Sequence, residues 1–366
     1  MMKQVVFNAL QTSLSGGIGR YSYELVKSIH SLNKTDLKIV IRYEDRELFK
    51  FADDKDLIVA KDIKNSRDRN YYEQLKLPEI IKEKYPKAVI HYPDSMAPLF
   101  AKNRVVITVH DLAFKSLKSV FTFKSALWKN VITSLSIKKA DKIVAITNFA
   151  KDEILKHYDV KTDKIDVIYN GFNNFSRDSI RFENVSENIL KLVEKTYILT
   201  VSTISPRKNI DGLIKAFNLI KNKIPCNLVI AGKNGWMYDD IYKLIKYFKL
   251  EKRVFFTGKV NDDELKCLYK NANVFIYPSF YEGFGLPPLE AMAYRIPCIV
   301  SNVASLIEVA ADAALKINPY KIEEICERII EVYSDIDLRN RMIERGLNRI
   351  EKFSWDTCAK RIVSVY

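Results

Sequence analysis

Tyr277-Pro278-Ser279-Phe280-Tyr281-Glu282-Gly283-Phe284-Gly285-Leu286-Pro287-Pro288-Leu289-Glu290 runs on into Ala291-Met292-Ala293 and, after Ile296-Pro297, into the apolar Cys298-Ile299-Val300. The residues just before it, Asn273 to Tyr277, are apolar enough for a buried strand. The order is strand, glycine-rich turn, helix. Backbone N–H groups at a helix start attract anions, and glycine lets an anionic ligand approach the main chain closely. A diphosphate fits such a turn. Glu282 and Glu290 have seven residues between them, so that Glu282 is placed to accept from sugar hydroxyls on one side and Glu290 from ribose hydroxyls on the other. A tight turn with two solvated glutamates reads the same way from the pair alone. Gly283, Gly285, Pro287 and Pro288 fix the turn and favour the site.

The same strand–turn–helix grammar recurs elsewhere in the chain. Tyr197 to Ser202 is a strand, Thr203 to Asn209 a turn, and Ile210 to Ile220 a helix. That turn carries Arg207 and Lys208, two cations that suit a diphosphate by charge and by the dipole of the helix that follows. Lys3 to Ala9 is a strand, followed by Ser13-Leu14-Ser15-Gly16-Gly17-Ile18-Gly19-Arg20 and a helix from Tyr21 to Leu32. The glycines differ from the dinucleotide fingerprint, and no acidic residue stands at the end of the next strand, Leu37 to Arg42, which excludes a dehydrogenase. Val105 to Val109 is a buried parallel strand, and His110 and Asp111 follow at its carboxyl end, where open α/β sheets place ligands.

A chain of 366 residues exceeds one ordinary core and implies two domains. The polar stretch Phe172 to Glu187 reads as the linker. A net charge of +14 asks for an anionic partner. No RNA-binding signature, zinc-finger spacing or basic arm is present, so nucleic acid is not that partner. Five widely spaced cysteines support neither a disulfide framework nor a zinc site, and a reducing cytoplasm fits. The amino-terminal apolar stretch is too brief for a signal peptide, and no apolar run approaches the ~18 residues of a membrane span. Between Lys115 and Lys142, lysines alternate with Phe121, Phe123, Leu127, Trp128 and Ile132. A helix over Thr122–Ala140 is expected, its apolar face on the core and its basic face outward, either solvated or docked on an anionic leaflet.

Taken together, the glutamate-flanked glycine turn, Arg207-Lys208-Asn209, the histidine after a strand and Asn170-Gly171 resemble retaining family-4 glycosyltransferases. The resemblance spans nearly the whole chain. It implies the GT-B fold: two Rossmann-like α/β domains facing a central cleft, over residues 1–172 and 187–350, a linker at 173–186, and a helix at 351–366 crossing back to the first domain. It further implies transfer of a sugar from a nucleotide diphosphate sugar to a hydroxyl, with retention. Arg207, Lys208 and the backbone of Gly283, Phe284, Gly285 and Leu286 then take the leaving diphosphate. Glu282 holds the sugar, Glu290 the ribose, and Gly258 and Val260 the base. Gly16, Gly17 and Gly19 lie near the donor, and His110 beside the transferred sugar. Asp111 either binds hydroxyls or holds His110 in one tautomer, the second being favoured. No Asp-x-Asp stands in a suitable loop and two cations replace a divalent ion, so neither metal nor cofactor is expected. Glu282→Ala is expected to cut turnover and leave folding intact.

Two departures stand out. Thr203 occupies a position where many relatives carry arginine, and Leu306-Ile307 precede Glu308 where most have a proline–glutamate pair. Ala231-Gly232-Lys233-Asn234-Gly235-Trp236 together with Arg207-Lys208-Asn209 resembles a subgroup rich in GDP-mannose-dependent enzymes of surface polysaccharide assembly. That implies a mannosyl donor and a glycan or lipid-linked acceptor. A UDP-sugar donor, or a sugar-nucleotide epimerase on the same fold, stays open.

Overall fold

The computed structural model describes residues 2–13, 17–116 and 123–366, the side chains of 123–126 and 177 excepted. The chain separates into two compact units, one of residues 1–171 with 353–366, the other of residues 172–352.

Each unit is built on a wholly parallel sheet. The first comprises β1 (Lys3–Asn8), β2 (Thr35–Arg42), β3 (Leu57–Ala60), β4 (Val89–Tyr92), β5 (Val105–Val109), β6 (Lys142–Ala145) and β7 (Ile165–Val167), in the order β3-β2-β1-β4-β5-β6-β7. Parallel strands need both faces covered, because their helical crossovers lie on both. Accordingly β5 is Val-Val-Ile-Thr-Val and buried at every position. Register follows from matching these apolar runs: Val5 of β1 lies between Leu37 of β2 and Val89 of β4. Strand order reverses between β1 and β4, and such switch points are where doubly wound sheets bind ligands.

The second sheet comprises β8 (Tyr197–Val201), β9 (Asn227–Ala231), β10 (Val254–Gly258), β11 (Val274–Tyr277), β12 (Cys298–Ser301) and β13 (Ala314–Ile317), in the order β10-β9-β8-β11-β12-β13. Its switch point lies between β8 and β11, the strands that lead into the Arg207-Lys208 turn and the Glu282 turn.

Three local features shape the two units further. The helix at residues 66–84 contains a π-helical turn, Tyr72–Lys76, closed by the Leu77 N–H on the Tyr72 carbonyl. Pro78 comes immediately after and has no N–H to give the regular ladder, which accounts for the looser turn. The helix Trp355–Val365 packs on the helix Gly17–Leu32 within the first unit. There Trp355 lies so close to Gly171 that a Cβ on the glycine would fall 2.3 Å from its backbone nitrogen. Residues of the expected linker are tied into the second unit: Asn184 donates to Asp263 at 2.7 Å, and Tyr294 to the Phe175 carbonyl at 3.0 Å.

The helix Phe123–Lys139 forms as expected, but its outward face corrects the sequence reading. Ile132, Thr133, Ser136 and Ile137 are buried, whereas Leu127, Trp128, Val131 and Leu135 are 44–57% exposed. Spaced at i, i+1, i+4 and i+8, they form an apolar stripe where a basic face was expected. Lys118 and Phe121 lie outside the described residues, as do the side chains of Phe123 and Lys124. Among the described residues no helix is long and apolar enough to cross a membrane.

Candidate active site

The switch point of the second sheet gathers the residues that the sequence singles out. After β8, Pro206–Lys208 make one 3₁₀ turn, ended by Asn209 in the left-handed region at φ 53°. Asn209 tolerates that conformation and anchors it by donating to the Pro319 carbonyl at 2.7 Å. After β11 the chain turns through residues 278–285 into the helix Leu286–Ala293. The two turns are stitched together by the Phe280 N–H on the Arg207 carbonyl, 2.9 Å.

At their meeting point Lys208 Nζ donates to Glu282 Oε1 at 2.5 Å and to the Tyr277 hydroxyl at 2.7 Å. It also lies 4.9 Å from the centre of the Tyr277 ring. Arg207 stands 3.9 Å from the other carboxylate oxygen. Lys208 and Glu282 are both buried. Burial pushes the Glu282 carboxyl up, but the charges of Lys208 and then Arg207 outweigh it and hold the group below its ordinary value. Two cations and one carboxylate leave one net positive charge at the mouth of a helix. The same geometry corrects the expectation for Glu282→Ala. Removing a buried carboxylate strands the Lys208 ammonium, so that variant is expected to lose stability as well as turnover.

The glycine turn is held from below. Ser305 Oγ, buried at the start of the helix Ala304–Ala310, bonds to the Glu282 carbonyl at 2.9 Å and the Phe284 carbonyl at 3.3 Å. Gly285 sits at φ +94° as the helix cap, and a Cβ there would fall 2.5 Å from Leu306 Cδ2. Pro287 and Pro288 bring no N–H, so what this helix start offers an anion comes from the backbone of Gly283, Phe284, Gly285 and Leu286. Ser305 and Leu306 were missed as site residues, since nothing in Ser-Leu-Ile-Glu marks them as supports of a turn some twenty residues before them. Glu290, one turn into the helix Leu286–Ala293, accepts from the Tyr269 hydroxyl at 2.9 Å, and Tyr269 stacks on Tyr294 at 5.4 Å. That tyrosine pair was also invisible in the sequence.

Gly258 ends β10, two strands out from β8, at φ +68° with open space where a Cβ would be. Its carbonyl accepts the Gly232 N–H at 3.0 Å, and Val260 follows half-buried.

The remaining candidates belong to the first unit. His110 follows β5, partly buried, with its ring 4.6 Å from that of Tyr21 and edge-on to it. Its Nε2 faces the Pro93 carbonyl at 2.8 Å, which places the ring proton on Nε2. Burial lowers its pKa, against smaller opposing effects of that carbonyl and of Asp111. The favoured role for Asp111 is therefore corrected: the turn after β4 sets the tautomer, and Asp111 Oδ1 accepts the Ala113 N–H at 3.0 Å. Gly17, at φ +60°, opens the helix Gly17–Leu32 instead of preceding it. Gly19 is buried in its first turn, where a Cβ would lie 2.6 Å from the Ser13 nitrogen. Gly16 lies outside the described residues. Among the described residues no three His, Cys, Asp or Glu side chains are grouped to hold a metal ion.

The chain is similar to known proteins along most of its length. The family described as "Glycosyltransferase Family 4" matches residues 15–174, and "Glycosyl transferases group 1" matches residues 182–349. O-antigen chain mannosyltransferase B of Escherichia coli is 28% identical over 96% of this chain and 95% of its own length. O-antigen chain mannosyltransferase RfbU of Salmonella typhimurium is 32% identical over 58% of this chain and 56% of its own. The crystal structure of HepE from Anabaena, in complex with UDP and glucose, superposes with a TM-score of 0.75 at 16% identity over 99% of both chains, a likeness of fold. Each half of the chain matches its own glycosyltransferase family model, the two together spanning most of it, and the chain is a glycosyltransferase of family 4 and group 1 with the GT-B fold.

Proposed function

We propose that the enzyme transfers mannose from GDP-mannose, with retention, to a hydroxyl of a glycan or lipid-linked acceptor in surface polysaccharide assembly. The observation that carries the donor site is the Lys208–Glu282–Arg207 cluster against the glycine turn at the β8/β11 switch point. As the sugar–phosphate bond breaks, negative charge grows on the diphosphate. Fixed cations and N–H groups stabilise it only if they are already in place, and burial increases their effect. Arg207, Lys208 and the Gly283–Leu286 backbone do this without a divalent ion. Glu282 orients the sugar, Glu290 the ribose, and Gly258 and Val260 border the base. His110, with Gly17 and Gly19, serves the transferred sugar, as the family resemblance implies. The leaving phosphate takes the acceptor's proton. The mannosyl assignment draws on the two O-antigen mannosyltransferases, whose names state that sugar.

We also infer that the stripe Leu127, Trp128, Val131 and Leu135 rests in the interface of an anionic membrane, with Lys138 following it along the same helix. An exposed aromatic and aliphatic face flanked by lysine in a chain of net charge +14 suits that surface.

Thermal stabilisation by GDP, UDP and ADP, each with magnesium and with EDTA, tests the donor. A ligand at ~100 times its dissociation constant adds ~2.7 kcal/mol. Stabilisation by GDP that survives EDTA supports the reading. Selective stabilisation by UDP moves the donor to a UDP-sugar, and turnover of a sugar nucleotide without acceptor moves the reaction to epimerisation. No response to any nucleotide overturns the donor site.

A further inference from the structure

The switch point of the first sheet holds a polar cluster that the donor site does not use. Glu73, on the π-helical turn, and Asp94, in the turn after β4, are both buried. Asn8, at the end of β1, donates to Glu73 Oε1 at 2.8 Å, and the Tyr92 hydroxyl donates to the Glu73 carbonyl at 3.1 Å. Asp94 Oδ1 accepts the Met96 N–H at 2.9 Å, and its Oδ2 accepts from the Gln11 side chain. Arg69 Nε is 3.8 Å from Glu73, one cation against two acids.

The other titratable groups nearby are the Tyr72 and Tyr92 phenols, both raised by burial, and His91, lowered to about 3 by burial and then by His110. All three are neutral near pH 7, so they cannot balance a second negative charge. Burial first, and then Asp94, raises the Glu73 carboxyl, and burial raises Asp94.

The geometry ties this pair to His110 and to the helix start at Gly19. Asp94 holds Gln11, whose carbonyl packs on Gly19 at the helix start. Its neighbour Pro93 supplies the carbonyl that fixes the His110 ring. We propose that Glu73 and Asp94 keep one proton between them, and that Asp94 in this state is a positioning residue that holds Gln11 against Gly19 and holds the Pro93 carbonyl on His110. The proposal rests on His110 and the glycines serving the reaction, but its test needs no turnover.

A carboxyl raised in the folded chain binds its proton there while the unfolded chain has lost it. The contribution of this pair to wild-type stability therefore falls as pH rises from the ordinary carboxylate range towards neutrality. Glu73→Gln removes the second charge, so its melting temperature relative to wild type should rise by several degrees between pH 5.5 and pH 8.5. In ¹⁵N-histidine spectra, with His110→Asn assigning the signal, the Nε2–H tautomer of His110 should persist at pH 8.5 in Glu73→Gln, weaken there in wild type, and be lost in Asp94→Ala at both pH values. A melting difference independent of pH overturns the shared proton. A His110 signal unchanged in Asp94→Ala overturns the positioning role. If Asp94→Ala does not fold, wild type against Glu73→Gln at the two pH values still decides. Failure of nucleotide binding alone would remove the donor reading and leave this result standing.

Discussion

Lys208 Nζ sits 2.5 Å from Glu282 Oε1 and joins the turn after β8 to the turn after β11. These turns follow strands that neighbour one another only because the sheet reverses its order there. The pair ties two turns of the second unit together and, on the proposed function, sets the charge that a diphosphate meets.

Lys208→Met should therefore cost about 3 kcal/mol, the usual penalty for leaving a buried partner uncompensated. Glu282→Gln keeps shape and hydrogen bonding. It should cost about 1 kcal/mol while turnover falls about 100-fold. Urea denaturation beside donor-consumption rates separates the two. Because the carboxyl is held low, its stabilising effect is complete above the ordinary carboxylate range and is lost as pH falls through its folded value. A near-normal rate for Glu282→Gln removes its assigned role.

Gly285→Ala meets two obstacles, a left-handed φ and Leu306 at 2.5 Å. Expected are a loss of about 2 kcal/mol and weaker nucleotide binding. Adding Leu306→Ala should restore packing but not the backbone strain, so only partial rescue is expected in a melting series.

His91 is enclosed between the Tyr366 hydroxyl at 2.7 Å and Thr108 Oγ1 at 3.0 Å. Burial keeps it neutral, with its pKa pushed down to about 3. The unfolded chain protonates it near pH 6.5, so stability should fall as pH drops below that point, by about 3 kcal/mol at pH 4. His91→Gln should flatten that part of the stability profile measured by denaturation.

Trp128→Glu should weaken cosedimentation with vesicles containing anionic lipid at least tenfold and leave nucleotide-induced stabilisation unchanged. Equal binding by the variant would remove the stripe from the interface. Wild-type binding abolished by ~0.5 M salt, with the stripe irrelevant, would mean that lysines alone act.

Much of the second unit was legible because its signals are local. Strand, turn and helix succeed one another in Tyr197–Ile220 and again in Asn273–Ala293, with glycine and proline marking the turns. What stayed hidden depends on contacts between distant segments. Ser305 supports a turn some twenty residues before it, Tyr269 pairs with Glu290, and Pro93 sets the tautomer of His110. Leu57–Ala60 pairs with β2 as β3, though four residues among charged neighbours carry too little periodicity to show a strand in the sequence. The outward face of the helix at 123–139 was misread for a different reason. Counting lysines along the sequence says nothing about which way each points.

The contact between Gly171 and Trp355 has a consequence for how the molecule is made. A ribosome that has finished residues 1–171 has not yet synthesised Trp355, or the Tyr366 phenol that encloses His91. The second unit is one continuous stretch and can close as it emerges. The first begins earlier and is completed later, its helix Gly17–Leu32 waiting for a partner made almost 200 residues downstream of Gly171. Until then its apolar flank is exposed during synthesis, the interval in which unfinished domains are most prone to associate wrongly.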